Sequence, residues 1–292
     1  MTSPTATTST TSTTAPRSAV QVTWRSWLVL GIVSVTGLCM FLWPLVLNPG
    51  EGASHRTDAP FVFVLVLPLL LAVVLAELAS GGMDAKALAM LGVLAAMGAA
   101  LRPFGAGTAG IETTFFLLVL AGRVYGPGFG FVLGNVTLFA SALVTGGVGP
   151  WLPFQMLGSG WVGLGAGLLP AKQLRGRLEL VLLATYGAVA AYLYGFLLNL
   201  WFWPFAAGAG EPGSLTFVPG DAVGSNLRRF FAYTVATSTW GWDTGRAITN
   251  IVAVAVLGPT VLLTLRRAAR KAAWDAPVTF LEAGSRKPVS GD

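Results

Sequence analysis

Long apolar runs recur along the whole chain, and short polar segments separate them. The runs lie at 25–47, 61–79, 85–101, 111–124, 128–145, 150–169, 178–205 and 241–265. They lack the regular apolar–polar alternation that is typical of a half-buried β-strand. A run of about 20 apolar residues crosses a bilayer as an α-helix, because its backbone hydrogen bonds are then all made within the segment. The pattern therefore predicts an all-α integral membrane protein with eight spans.

The segments outside these runs have different characters. Residues 1–23 are rich in Ser and Thr and have little to bury, which predicts a disordered tail. Residues 206–227 are predicted to be a loop, and residues 228–239, too short to span, a short interfacial helix. Residues 272–292 are of mixed polarity and are predicted to form a cytoplasmic tail.

Composition supports the membrane class and excludes several chemistries. Of the residues, 54% are hydrophobic and 10% charged, whereas a soluble domain has roughly 25% charged residues. The single cysteine, Cys39, lies in an apolar run and is predicted to be a small buried residue; with the single histidine, His55, it cannot supply a His/Cys metal site. The chain has no phosphate-binding loop, no G-x-S-x-G and no H-E-x-x-H. We therefore expect no enzymatic turnover and no cofactor bound by this chain.

Basic residues lie at the ends of the apolar runs and are divided unevenly between the two sides of the membrane. With the N-terminus inside, the inner flanks contain Arg17, Arg25, Lys86, Arg123, Lys172, Arg175, Arg177, Arg266, Arg267, Arg270 and Lys271. The outer flanks contain Arg56, Arg102, Arg228 and Arg229. Because Lys and Arg favour cytoplasmic flanks, both termini are predicted in the cytoplasm of a cell-membrane protein. The net charge of +6 is then explained by these cytoplasmic flanks, and we expect no nucleic-acid partner.

Small residues at four-residue spacing predict close contacts between helices. On a helix such residues form a flat strip on which another backbone can approach. Strips of this kind are formed by Gly126, Gly130 and Gly134, by Gly163 and Gly167, and by Gly187, Ala191, Gly195 and Asn199. The third span has a similar face, formed by Ala85, Ala89, Gly92 and Ala96. This last face either packs against a helix of the same chain or docks another protein.

Polar residues inside the spans indicate a site in the outer half of the bundle. Each ionisable group there costs about 2.5–3.5 kcal/mol, so it should face a partner or a cavity. Asp243, Arg246 and Asn250 share one helix face, either as a structural ion pair or as a pocket wall. Glu112 starts a helix, where the helix dipole favours a carboxylate. Under the predicted topology the candidate substrate site contains Glu112, Asn135, Trp151, Gln155, Asn199, Asp243, Arg246 and Asn250.

One segment resembles a known family. GPGFGFVLGNVTLFASALVTGGVGPWLPFQMLGSGWVGLGAGLL, residues 126–169, is similar to the substrate-binding S components of energy-coupling factor (ECF) vitamin transporters, in particular to the branch with a G-P-W-x-P-x-Q-M segment. The likeness extends over residues 83–270. It implies a six-helix core at 81–271 with both ends inside, preceded by an extra transmembrane hairpin at 24–80.

The resemblance also implies partners and a substrate. The partners would be a transmembrane coupling protein and two ATPase subunits, which use the ATP, and the face formed by Ala85, Ala89, Gly92 and Ala96 would dock the coupling protein. The substrate would be a vitamin or related micronutrient, with cobalamin or a precursor suggested by the G-P-W-x-P-x-Q-M segment. In this family, part of the last helix belongs to the substrate-binding region.

Two other functions are compatible with an apolar helical bundle. A stand-alone secondary transporter usually has paired halves with broken helices, and we find no such repeat in the sequence. A non-transport membrane scaffold would use its small-residue faces only to assemble partners and would bind no ligand.

Overall fold

The computed structural model describes residues 22–46, 67–69, 71–73, 75–76, 85–105, 110–171, 173–205, 215–218 and 220–272. Most of the predicted N-terminal tail, most of the second span and most of the C-terminal tail lie outside these residues. Every regular element within them is a helix. The all-α prediction is therefore confirmed for this part of the chain.

Nine α-helices are fully described. They are α1 (Trp24–Phe41), α2 (Trp43–Val46), α3 (Ala85–Leu101), α4 (Phe115–Tyr125), α5 (Pro127–Thr145), α6 (Leu152–Leu168), α7 (Arg177–Phe202), α8 (Val223–Thr234) and α9 (Thr244–Ala272). Short 3-10 turns, Arg102–Phe104 and Trp203–Phe205, follow α3 and α7, and a π-helix, Val235–Asp243, joins α8 to α9. Five segments in the described residues are long and apolar enough to cross a membrane: Trp24–Phe41, Ala85–Phe104, Pro127–Thr145, Arg177–Phe202 and Val223–Ala272.

The prediction of a separate interfacial helix at 228–239 is wrong. The chain is helical without a break from Val223 to Ala272, over 50 residues. At 1.5 Å per residue this helix is about 75 Å long, more than twice the roughly 30 Å hydrocarbon core. Its first part therefore extends beyond the span. Phe230 of α8 is buried with Trp203 and Phe217, so tertiary packing holds the amphipathic segment in line with the last span.

The glycine strips of α5 and α6 bring these two helices into backbone contact, as predicted. A Cβ atom at Gly130 would collide with the backbone of Gly163, and one at Gly163 with the backbone of Gly130. A Cβ at Gly134 would meet the backbone of Ser159 in the same way. Gly126 differs: it lies in the turn between α4 and α5 with φ +96°, a conformation that favours glycine.

The small-residue face of α7 packs against the polar face of α9. A Cβ atom at Gly195 would collide with the Asp243 carboxylate, and one at Gly187 would lie 3.4 Å from Asn250 Cβ. The carbonyl of Ala191 accepts a hydrogen bond from Arg246 Nη1 at 3.4 Å. Two patterns that the sequence presents separately therefore form one interface, in which small residues make room for polar ones.

The N-terminal helix packs on the outside of α6 and α7. Trp161 Nε1 donates to Ser34 Oγ at 3.0 Å, and the ring of Phe41 lies edge-on to Phe154 at 5.0 Å. Cys39, predicted to be buried, is exposed. It lies on the face of α1 that points away from the bundle, where an apolar thiol is compatible with lipid.

Candidate functional site

A cavity of about 320 Å³ opens at the end of the bundle where α3 and α5 end and α4, α6 and α9 begin. We call this the cavity end. The cavity is lined by Arg102, Pro103, Gly105, Gly110, Ile111, Glu112, Thr145, Gly147, Trp151, Gln155, Trp242 and Arg246. Four of these residues, Glu112, Trp151, Gln155 and Arg246, belong to the candidate site derived from the sequence. The alternation of helices across the bundle thus brings together polar residues that are far apart in the chain.

Arg246 forms one wall of the cavity and is paired behind it with Asp243. Arg246 Nη1 donates to Asp243 Oδ1 at 3.1 Å, and only 2% of the Asp243 side chain is exposed. Ser238 Oγ donates to the other carboxylate oxygen at 2.9 Å. Ser238 and Asp243 are five residues apart, and the π-helix places residues at that spacing in contact. The sequence predicts either a structural ion pair or a pocket wall on this helix face. The structure has both, because Arg246 is paired with Asp243 and also lines the cavity.

Aromatic rings hold the Arg246 guanidinium in place. It lies 5.1 Å from the ring centroid of Tyr194 and 5.8 Å from that of Phe115, within the range of cation–π attraction. The two rings meet edge to face, with centroids 4.9 Å apart. Tyr194 in turn packs over Gly158 of α6, where a Cβ would lie 2.9 Å from the ring. Arg246 is therefore fixed by α4, α7 and its own helix.

Arg102 lines the cavity, although the sequence predicts it only as a basic residue on the outer flank of a span. Its Nη2 donates to Gln155 Oε1 at 3.1 Å and its Nη1 to Ser141 Oγ at 3.5 Å. Both acceptors are uncharged. Among the described residues no carboxylate forms an ion pair with Arg102. The signal in the sequence was the position of Arg102 directly after an apolar span, at the level of Gln155.

Glu112 carries a second charge without an ionic partner. Its Oε1 accepts a hydrogen bond from the Thr114 backbone N–H at 3.0 Å, as expected for a carboxylate before a helix. Within the described ranges it makes no ion pair, and it faces the cavity. Gly110, nearby, has φ +76°, and a Cβ there would collide with the backbone of Trp242. The segment before α4 therefore lies directly against the π-helix.

Two tryptophans line the cavity at its mouth. Trp151 and Trp242 are 46% and 45% exposed, so both rings are accessible to a ligand. The Trp151 ring lies against Gly149, where a Cβ would collide with it, and its Nε1 donates to the Gly147 carbonyl at 3.2 Å. Trp151 belongs to the site predicted from the sequence, and Trp242 is added to it by the structure.

Four residues of the candidate site do not line this cavity: Asp243, which lies behind Arg246, and three asparagines. Asn250 is fully buried beneath Arg246 and donates to its backbone carbonyl at 2.9 Å. Asn135 donates to the Phe131 carbonyl at 2.8 Å and borders a second, apolar cavity of about 400 Å³. The Asn199 Nδ2 atom is buried and has no hydrogen-bond partner in the described part of the chain. The substrate contacts predicted for these three asparagines stay predictions.

A second charged cluster, not singled out from the sequence, lies at the opposite end of the bundle, which we call the basic end. Glu179, in the first turn of α7, is 1% exposed and accepts hydrogen bonds from Arg266 Nη2 at 2.6 Å and Arg123 Nε at 3.1 Å. Arg175 lies 4.0 Å away. Glu179 is the only acidic residue between Glu112 and Glu211. A single acidic residue close to several arginines in the sequence is the pattern from which this cluster could have been predicted.

The predicted docking face lies on the outside of the bundle. Ala85, Ala89, Gly92 and Ala96 are exposed, and a Cβ at Gly92 would meet no atom within 4 Å. The core-facing residues of α3 are different ones: Ala87, Leu91, Leu94, Ala95, Gly98 and Ala99. The small-residue face is therefore available to lipid or to another protein. If it packed against a described helix, these residues would be buried.

The described residues contain no group of three or more His, Cys, Asp or Glu that could hold a metal ion. The hydrogen-bonding groups of Arg102 and Glu112 and the rings of Trp151 and Trp242 suit an organic ligand with polar groups.

Comparison with known proteins gives one match. Residues 86–211 match the family model described as ECF transporter, substrate-specific component. No curated protein and no solved structure matches the chain. The matched segment contains Arg102, Glu112, Trp151 and Gln155 and three of the five span-length helices. The resemblance found in the sequence is therefore confirmed: over residues 86–211 this multi-pass membrane protein matches the substrate-specific components of ECF transporters.

Proposed function

We propose that this chain is the substrate-binding subunit of an ECF importer, which captures a vitamin-like micronutrient outside the cell and passes it to an ATP-driven module. The observation that carries the proposal is that the family match includes four of the polar and aromatic residues that line one cavity. A pure scaffold has no use for such a cavity. The family implies association with a coupling protein and ATPases, which would hydrolyse the ATP, so the chain itself needs no catalytic residues.

The proposed membrane arrangement has eight spans and both termini in the cytoplasm. The core at 81–271 would contain six spans, and the segment 24–80 would be an added hairpin between the tail at 1–23 and the core; residues 272–292 would form the second cytoplasmic tail. The gathering of Arg123, Arg175 and Arg266 at the end opposite the cavity supports a cytoplasmic basic end. The cavity would then open to the outside.

Reporter fusions test this arrangement directly. Fusions after residues 55, 174 and 275 should report outside, inside and inside, respectively. A reporter that is outside after residue 275 would contradict the proposed orientation, whatever the ligand is.

The proposed substrate is a cobalamin precursor and not an entire corrinoid. The cavity volume of about 320 Å³ lies at the lower end of the roughly 300–1,000 Å³ that holds drug-sized ligands. A corrinoid ring with its nucleotide tail is much larger than such ligands, whereas a precursor fragment is comparable in size. Mass spectrometry of small molecules that co-purify with the chain tests this choice.

The proposed docking surface for the coupling protein is the exposed face formed by Ala85, Ala89, Gly92 and Ala96. Small residues let two helices approach closely, and a bulky side chain would separate them. Ala89→Trp should abolish the complex and leave ligand binding by the solitary chain unchanged. Val256→Trp is the matched control, because Val256 is 68% exposed on α9, away from the proposed face.

The decisive experiment is purification of the tagged chain from its native membrane, with its partners identified by mass spectrometry. A coupling protein and ATPases should co-purify with the unchanged chain and with Val256→Trp, but not with Ala89→Trp. Uptake into vesicles should require ATP. Uptake by the solitary chain driven by an ion gradient would instead establish a secondary transporter.

A further inference from the structure

Two opposite charges face the cavity without ionic partners. Arg102 donates only to the neutral oxygens of Gln155 and Ser141, and Glu112 accepts only a backbone N–H, in the part of the chain that the structure describes. The other two charged residues of the candidate site, Arg246 and Asp243, form an ion pair with each other at 3.1 Å. The ligand therefore meets one uncompensated cation and one uncompensated anion.

The hydrogen-bonding capacity of these two groups is incompletely used. A guanidinium group has five N–H donors, and two of those of Arg102 are assigned. A carboxylate has about four acceptor positions, and one of those of Glu112 is assigned. Because both residues line an open cavity, these free hydrogen-bonding positions are available to a ligand with complementary groups.

The walls of the cavity restrict the shape of that ligand. The half-exposed rings of Trp151 and Trp242 both line the cavity, and aromatic rings favour offset or edge contacts with other flat rings. A volume of about 320 Å³ corresponds to about ten water molecules at roughly 30 Å³ each. That space fits a molecule of one or two rings with short substituents.

From these observations we propose that the ligand is a small planar heteroaromatic acid that also carries an N–H donor. Arg102, steadied by Gln155, binds the anionic oxygen group; Glu112 accepts the N–H donor; Trp151 and Trp242 flank the ring. This inference rests on the proposed function, because it assigns the ligand of the same cavity. It also adds Arg102 and Trp242 to the residues of the predicted site.

The test uses the purified full chain and a panel of heteroaromatic acids with ring N–H or amino groups, each paired with its uncharged carboxamide. Binding is measured by calorimetry and by the shift of the thermal unfolding midpoint. At least one acid should bind more tightly than its amide, and Arg102→Gln should weaken that acid by roughly 10- to 100-fold, the value of a charge-assisted hydrogen bond. Arg102→Lys should retain part of the preference, because it keeps the positive charge.

Glu112→Gln and a matched arginine control complete the design. Glu112→Gln should weaken the same acid, and should do so less when the ligand's N–H donor is methylated. Arg228→Gln should change nothing, because Arg228 is exposed on α8 at the same end of the bundle but outside the cavity. The unfolding midpoint without ligand confirms that each variant is folded; if Arg102→Gln does not fold, the acid–amide comparison and Arg102→Lys decide.

Several results would overturn the inference. They are equal binding of acids and amides, a preference for cationic compounds, or no acid that binds at all. Failure of the proposed function looks different: the chain would bind an acid but would co-purify with no coupling protein or ATPase. Conversely, ATP-dependent uptake of a cationic or neutral micronutrient would contradict this inference and leave the proposed function intact.

Discussion

The charged side chains at the two ends of the helical bundle have different partners. At the basic end, Glu179 is 1% exposed and accepts hydrogen bonds from both Arg123 and Arg266. At the cavity end, Arg102 and Glu112 contact only neutral groups among the described residues. The two ends are about 30 Å apart, because twenty residues of α9 separate Arg246 from Arg266 at 1.5 Å per residue. That distance matches the hydrocarbon core.

The difference separates a structural cluster from a binding site. Arg123 also donates to the carbonyls of Leu169, Pro170 and Ala171, which satisfies backbone groups at the end of α6. The basic end thus ties α4, α6, α7 and α9 together. A ligand could enter that cluster only by breaking existing bonds. At the cavity end a ligand would add bonds to Arg102 and Glu112, so changes to these two residues should affect binding more than stability.

The largest effect is expected from Glu179→Gln at the basic end. This change leaves two largely buried arginines without their carboxylate, and removing one partner of a buried ion pair typically costs about 3–5 kcal/mol. The thermal or denaturant unfolding of the purified chain in detergent should show a loss of this size. The change should also reduce the amount of folded protein in the membrane.

Glu112→Gln is the matched control, because it makes the same chemical change at the other end. Glu112 has no ionic partner in the described structure, so the free energy of unfolding should change by less than about 1 kcal/mol, the value of one hydrogen bond. Equal losses in the two variants would contradict the division between a structural end and a binding end.

The next effect concerns the ion pair that lies directly behind the cavity, Arg246 with Asp243. Asp243→Leu alone should destabilise the chain by about 3 kcal/mol, because it leaves Arg246 uncompensated. Adding Arg246→Met should restore much of that stability, since both charges are then absent. If Arg246 also binds substrate, the folded double variant should lose uptake. Normal uptake by that variant would remove both residues from the site.

A smaller effect is expected from Arg123→Lys at the basic end. The planar guanidinium of Arg123 contacts Glu179 and three carbonyls at once, and an ammonium group cannot reproduce that geometry. We expect a loss of about 1–3 kcal/mol in the free energy of unfolding, equivalent to one or two hydrogen bonds. Arg102→Lys, the corresponding change at the cavity end, should leave the unfolding curve nearly unchanged and weaken ligand binding instead.

Much of this architecture could be predicted from local patterns. The apolar runs predicted the helices, and the spacing of the glycines predicted the close backbone contact that Gly130 makes with Gly163. These features depend on one helix face at a time, so periodicity reveals them. Four cavity residues were also predicted, because the high cost of polar groups in a membrane forces them toward a shared interior.

The features that escaped prediction depend on contacts between distant segments. The continuous helix from Val223 to Ala272 depends on the packing of Phe230 against Trp203 and Phe217, which no pattern within α8 contains. The role of Arg102 depends on Gln155, 53 residues away. Asn135 is a polar residue inside a span, as the predicted site residues are, but it faces a different cavity. The rotation of a helix about its axis decides which way a single polar side chain points.

The smallest effect is expected from an ion pair outside the membrane, at the cavity end but away from the cavity. Arg229 Nη2 lies 2.6 Å from Asp221 Oδ2 and holds the pKa of the Asp221 carboxyl below its usual range. A carboxyl whose pKa is lower in the folded state stabilises the fold above its unfolded pKa, about 3.9. That stabilisation decreases as the pH falls below this value, through the lower pKa of the folded state.

Asp221→Asn should therefore lower the unfolding midpoint slightly at pH 7, and the difference from the unchanged chain should shrink toward zero as the pH approaches 3. Because both groups of this pair are partly exposed, salt should screen the interaction, so the small difference at pH 7 should decrease further in 1 M salt. Glu179→Gln, by contrast, should keep its large effect in 1 M salt, since its partners are buried. A difference for Asp221→Asn that is as large and as resistant to salt as that of Glu179→Gln would show that burial does not decide the strength of these pairs.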